Sequence, residues 1–143
     1  MKFTIIIPPK AQMRDRVRAF RHGDRIVGRS YKAPKQRQEE NRLVALLLEH
    51  RPPEPLEGPL LFGLRAYLPV PKSKSKKWQA AALAGEIRPT TKPDLDNLLK
   101  MVKDVCSGIF WQDDKQVVEY LPGTGKYYGK LAHWEVEIRL LGE

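Results

Sequence analysis

Four aspartates in two short stretches carry the chemistry of this sequence. Asp94 and Asp96 stand in Lys92-Pro-Asp-Leu-Asp-Asn-Leu-Leu-Lys100, and Asp113 and Asp114 in Trp111-Gln-Asp-Asp-Lys-Gln-Val-Val118. The chain around them is basic, with 26 Lys and Arg against 17 Asp and Glu and a formal net charge of +9. Clustered carboxylates repel one another unless a cation or a ring of donors holds them. Their oxygens are the hard ligands that Mg²⁺ or Mn²⁺ prefers, so a basic chain that gathers them points to a divalent metal site. Lys100 follows Asp96 by one helical turn. From there it can pair with Asp96 on an exposed helix, or reach a scissile phosphate and neutralise charge that develops in a transition state.

Each group also has a simpler use. Asp94 after Pro93 suits a helix N-cap, and Asp96 in the first turn complements the helix dipole. Asp113-Asp114 before Lys115 makes an ordinary turn. The two uses are compatible, because a carboxylate at a helix start can cap and ligate. Asp113-Asp114 meets the Asp94–Asp96 mouth only if the strand near Gln116 runs beside the segment entering at Pro93. Gly123-Thr-Gly-Lys126 lacks the spacing of a phosphate-binding P-loop and reads as a hairpin turn.

The element that must position these groups is the helix from Leu95. Leu95, Leu98, Leu99, Val102, Val105, Cys106 and Ile109 fall on one helical stripe, with Asp96, Lys100 and Lys103 opposite and Gly108 as the stop. Upstream, Phe3–Ile7 reads as a strand ended by Pro8-Pro9. Two β-prone runs around Gly23-Asp24 read as a hairpin with arginines on its exposed face. Pro34 opens a helix in which Leu43, Leu46, Leu47 and His50 keep helical spacing, and Pro52-Pro53 ends it. Pro59–Leu68 carries apolar groups on both faces, as an internal strand does. Trp78–Ala84 is a short helix stopped by Gly85. Gln116–Tyr120 reads as a strand, Gly123–Tyr128 as a turn, and His133–Leu140 as a last strand with Trp134, Val136, Ile138 and Leu140 facing in. Strands and helices mix without regular βαβ alternation. The expected fold is therefore α+β, a small mixed sheet packed with helices in a single domain over 1–143.

Charge and composition narrow the partners. Between Lys2 and Arg37 eleven Lys or Arg face two aspartates, Asp15 and Asp24, and Lys72, Lys74, Lys76, Lys77, Arg88 and Lys92 meet only Glu86. Such blocks suit phosphate-rich partners, since neutralising phosphates releases counterions, although a basic face also serves solubility. Arginine forks onto phosphate, which makes Arg14, Arg16, Arg18 and Arg29 candidate nucleic-acid contacts, as the lysines of the 72–77 turn are. A hydrophobic fraction of 41% suits a globular chain, and no apolar run is long enough for a signal peptide or a membrane span. One cysteine, Cys106, excludes an intrachain disulfide framework and makes the cytoplasm the expected compartment. His22, His50 and His133 stand apart without cysteine partners, so there is no zinc pattern.

The stretch Thr91-Lys-Pro-Asp-Leu-Asp-Asn-Leu-Leu-Lys100, followed by Asp104, Gly108 and Trp111-Gln-Asp-Asp-Lys-Gln-Val117, resembles the signature of the RusA family of Holliday-junction resolvases, its phage-type members most of all. The likeness extends to Gly28-Arg-Ser-Tyr-Lys-Ala-Pro-Lys35, to Pro69-Val-Pro-Lys-Ser with Lys76-Lys77, and to Glu135-Val-Glu-Ile138. The resemblance implies a dimeric, Mg²⁺-dependent endonuclease, with Mn²⁺ as a possible substitute. Its substrate would be four-way DNA junctions, nicked symmetrically on two opposing strands, with a nuclease acting on flaps, forks or other branched DNA as an alternative. It also implies catalytic aspartates at Asp94, Asp96 and Asp114, and an essential lysine at Lys100. A non-catalytic nucleic-acid-binding module is the alternative from another class.

Overall fold

The computed structural model describes the backbone of residues 1–9, 16–22, 25–31 and 34–143, and the side chains of 1–9, 38 and 40–143. In chain order the elements are β1 (Lys2–Ile5), β2 (Arg16–His22), β3 (Arg25–Tyr31), α1 (Pro34–Leu48), β4 (Leu60–Pro69), α2 (Lys76–Leu83), α3 (Leu95–Cys106), β5 (Val117–Tyr120), β6 (Gly125–Gly129) and β7 (His133–Leu140). The fold is α+β, as expected.

β4 is the internal strand its two apolar faces require. Leu60, Phe62, Leu64 and Ala66 are buried on one face, while Arg65 is exposed and Tyr67 half-buried on the other. β7 pairs antiparallel along one side of it, from Leu60 opposite Leu140 to Tyr67 opposite His133. On the other side β5 runs parallel to its start and β6 parallel to its end. β1 closes the β7 edge, antiparallel. Trp134, Val136 and Ile138 point into the core and Leu140 is half-buried, so the inward set read from β7 holds.

α1 and α3 lie on the core face of this sheet. Leu43 and Leu47 from α1 and Leu98, Leu99, Met101, Val102 and Cys106 from α3 join Phe3, Ile5, Phe62, Leu64, Val136 and Ile138 in one cluster. Each such large side chain contributes about 1.5–3 kcal/mol on burial, which anchors α3 far more firmly than its exposed charges do. His50, just beyond α1, stacks on Phe3 at 4.6 Å. Gly108 has φ +86°, which L side chains rarely adopt, and stands where α3 must stop.

Several boundaries move: α2 runs Lys76–Leu83 rather than Trp78–Ala84, and β4 runs Leu60–Pro69 rather than Pro59–Leu68. β1 is shorter than Phe3–Ile7, because its pairing ends at Ile5 opposite Trp134, close to the start of β7. Most of the stretch read as a turn from Gly123 to Tyr128 is strand instead. Tyr127 lies against Tyr67 at 5.4 Å, and this cross-strand stack favours β structure. Only Pro122-Gly123 turns. β2 and β3 pair antiparallel from Arg16 opposite Tyr31 to His22 opposite Arg25 in a separate two-stranded sheet, as the hairpin expectation requires, while the expected turn at Gly23-Asp24 lies outside the described residues. Among the described residues no helix is long and apolar enough to cross a membrane.

Cys106 is buried, and its thiol is raised above its ordinary value of 9.0, by burial first and by the Asp114 carboxylate second. The folded chain therefore keeps a proton that the unfolded chain sheds at alkaline pH. This contribution to stability is whole below the ordinary thiol pKa and is lost as pH climbs above it, at no more than about 1.4 kcal/mol per pH unit. A Cys106→Ala variant is expected to lose less stability than wild type between about pH 8 and 10. Denaturant midpoints measured across that range check it, and parallel slopes for the two proteins would contradict it.

Candidate active site at the ends of one helix

α3 has 12 residues and so spans about 18 Å. Its apolar stripe faces the core, which leaves Asp96 and Lys100 exposed and Lys103 half-buried on the other side. Lys103 Nζ donates to the Tyr120 hydroxyl at 2.7 Å, tying the helix to β5. Asp94 occupies the N-cap position with extended backbone, and its carbonyl accepts from Leu98 N at 3.1 Å. Its side chain makes no capping bond. The cap expectation is thus met by the backbone alone, and Asp94 stays exposed, as Asp96 does.

The Asp-Asp pair divides its work. Asp113 is exposed and its Oδ1 accepts from Lys115 N at 3.0 Å, starting a single 3₁₀ turn over Asp114–Gln116. Asp114 is half-buried, and its Oδ1 accepts from the indole Nε1 of Trp111 at 2.9 Å. Trp111 is fully buried, so this carboxylate satisfies a donor that has left water. Asp114 is also close enough to Cys106, the last residue of α3, to raise its thiol pKa. The turn expectation therefore describes Asp113, whereas Asp114 points inward.

Within one chain the two acidic stretches lie toward opposite ends of α3. Their meeting required the strand after Gln116 to run beside the segment entering at Pro93, but β5 pairs with the start of β4 instead. It is β6 that reaches the incoming segment, where Lys126 Nζ donates to the carbonyls of Thr91 at 2.6 Å and Pro93 at 2.9 Å. Among the described residues no three His, Cys, Asp or Glu side chains converge to hold one ion. Asp94 and Asp96 nonetheless fit Mg²⁺ by donor type, since that ion keeps several waters and is commonly held by one or two carboxylates with substrate phosphates.

Gln116 is a positioning residue that the sequence analysis passed over. Its Oε1 accepts from Gln112 N at 2.9 Å and Asp113 N at 3.1 Å, and its Nε2 donates to Leu56 O at 2.9 Å and Gly58 O at 3.1 Å. The spacing Asp113-x-x-Gln116 is a capping box, a signal that was available. Gln116→Leu removes four bonds at once and is expected to cost about 2 kcal/mol. Thermal unfolding reads this as a clear fall in Tm, and an unchanged Tm would deny Gln116 that role.

The lysines of the 72–77 turn, Lys72, Lys74, Lys76 and Lys77, are all exposed. Ser75 caps α2 by accepting from Trp78 N at 3.2 Å, Lys74 Nζ lies 5.2 Å from the Trp78 ring, and Trp78 packs edge-on against Tyr128 at 5.5 Å. Tyr128 and Lys126 alternate onto the same face of β6. The basic turn and the segment before Asp94 therefore share β6 as their base. In the hairpin, Arg18 stands opposite Arg29 and Arg16 two positions along, so the three take register positions on one face of the ribbon. Arg14 lies outside the described residues.

Residues 7–139 match the family described as endodeoxyribonuclease RusA. A protein of Bacillus subtilis (strain 168) named "Uncharacterized protein YqaN" is 38% identical over 142 residues, which cover 97% of this chain and 95% of that protein. The match takes in β2 through β7, the helix with its unspent carboxylates and the Asp-Asp turn, and on that extent this chain belongs to the RusA endodeoxyribonuclease family.

Proposed function

We propose that this protein is a Mg²⁺-dependent, structure-selective endodeoxyribonuclease that resolves Holliday junctions by paired symmetric nicks, in DNA recombination and repair in the cytoplasm. The observation that carries the reading is the exposed end of α3. Asp94 and Asp96 are both exposed there with no capping bond drawing on Asp94, and Lys100, also exposed, follows Asp96 by one turn. Asp94 and Asp96 would hold Mg²⁺, and Mn²⁺ by the same oxygen chemistry, with Asp114 as the third carboxylate. When bound, the ion supplies Lewis-acid polarisation of the phosphate and a water of lowered pKa. Lys100 offers its ammonium to the charge that grows on the phosphate oxygens. The Lys72–Lys77 turn and the arginines of β2 and β3 hold the DNA arms through backbone phosphates, reading shape more than sequence.

A homodimer is part of this reading. Two symmetric cuts need two sites related by a two-fold axis. Because no three carboxylates converge among the described residues of one chain, and Asp114 lies by Cys106 at the last residue of α3, a site with all three carboxylates would take Asp114 from the second copy.

The test is incubation of purified protein with end-labelled four-way, fork and linear duplex DNA, with and without Mg²⁺. Paired nicks in the four-way DNA that need the ion are expected. Preferential cutting of forks would move the substrate to other branched DNA. Salt-sensitive binding with no ion-dependent cleavage of any substrate would leave a non-catalytic binding module.

A further inference from the structure

Lys126 lies in the Gly123-Thr-Gly-Lys126 motif, which forms no phosphate loop and which the proposed chemistry leaves without a role. Its ammonium reaches from β6 to the two backbone carbonyls, Thr91 and Pro93, that come just before Asp94. The same residue is gripped from the other end of that segment, since Arg88 Nε donates to the Lys126 carbonyl at 2.5 Å. The Arg88 guanidinium lies 3.7 Å from the Tyr127 ring centroid, and the Tyr127 hydroxyl donates to Gly123 O at 2.6 Å. Residues 88–93 thus form a strap buckled to residue 126 at both ends, once through its backbone and once through its side chain.

The buckle matters because of what Asp94 does not do. A helix that starts at an aspartate ordinarily has its entry angle held by that side chain on the first-turn amides. Here the side chain makes no such bond, and the carboxylate is left exposed. Something else has to fix the backbone at Pro93. Lys126 is the side chain bonded to it, through a charged donor, and charge-assisted bonds hold geometry more firmly than neutral ones.

We propose that Lys126 is a positioning residue: by clasping the Thr91 and Pro93 carbonyls it orients the Asp94 carboxylate and the first turn of α3, freeing Asp94 from capping for use at the reacting phosphate. This rests on the nuclease reading above. A lysine that merely fills a turn would affect stability alone. One that touches DNA directly would affect affinity.

The test compares wild type with Lys126→Met, which keeps the stem and loses the ammonium, and Lys126→Arg, which keeps the charge. For Lys126→Met, kcat on a four-way junction is expected to fall about ten- to a hundredfold, the scale of a small misplacement of reacting groups, with junction affinity measured without divalent ion within about twofold. Lys126→Arg is expected to recover part of the loss. Amide exchange at Leu98, whose N–H bonds the Asp94 carbonyl, should quicken about tenfold in Lys126→Met while β4 and β7 keep their protection.

A wild type that cuts, paired with a Lys126→Met variant of equal kcat, overturns the clasp and leaves the nuclease standing. Lost affinity at unchanged kcat overturns it in favour of a phosphate contact. If wild type cuts no branched DNA, the nuclease reading falls. The exchange result then decides the clasp alone, with equal protection at Leu98 counting against it.

Discussion

Asp96→Asn is expected to cut a four-way junction more than about a hundredfold more slowly than wild type while still binding it. The magnitude follows from a comparison, since losing even an outer partner of a metal ligand typically costs ten- to a hundredfold, and Asp96 is proposed to be a ligand itself. The substitution is nearly isosteric and its site is exposed on the first turn of α3, so the fold has little reason to change. Its effect on the helix dipole is on the order of 0.3–1 kcal/mol, too small to unfold a helix anchored by Leu98, Leu99, Met101 and Val102. Binding survives because the basic turn and the hairpin arginines, which meet the DNA in this reading, are untouched. Junction cleavage and a gel-shift titration on one preparation separate the two effects. Full cleavage by a correctly folded Asp96→Asn protein would sink the metal site.

The second large effect separates two jobs of one residue. Asp114 accepts from the buried Trp111 indole and is also proposed as a ligand. Asp114→Ala leaves a fully buried N–H without its partner, at about 1–3 kcal/mol, enough to lower Tm by several degrees. Asp114→Asn keeps a carbonyl oxygen for the indole and loses the negative charge. It is therefore expected to unfold within about 1 kcal/mol of wild type and to cut at least about a hundredfold more slowly. An Asn variant with wild-type cleavage would leave Asp114 as the tryptophan's partner and nothing more.

Mixing the Asp96→Asn and Asp114→Asn proteins tests the shared site directly. If Asp114 serves the other copy, a mixed dimer contains one site with all its carboxylates, and single nicks return. If each site lies within one chain, every site in the mixture is defective and no activity appears.

Much of this was legible along the chain. The stripe of α3, the stops at Gly85 and Gly108, the pairing of β2 with β3 and the inward set of β7 all follow from periodicity and turn chemistry, which act over a few residues. The internal position of β4 was visible in its two apolar faces. The types of the candidate site residues, and the distinction of Asp114 from Asp113, came from motif spacing and family resemblance, whereas the bond from the Trp111 indole to Asp114 came from the fold.

Tertiary structure alone decided which strand lies beside which segment. β5 and β6 are short and close in sequence, yet one pairs with the start of β4 and the other with its end. That choice sends Asp114 toward one end of α3 and brings Lys126 to the other, beneath Asp94. Nothing local encodes it, because the order of strands is set by how Trp111, Tyr127 and Tyr128 pack against residues dozens of positions away. Residue types and spacing therefore determined the chemistry available to this chain. Long-range packing determined which of those residues can act together.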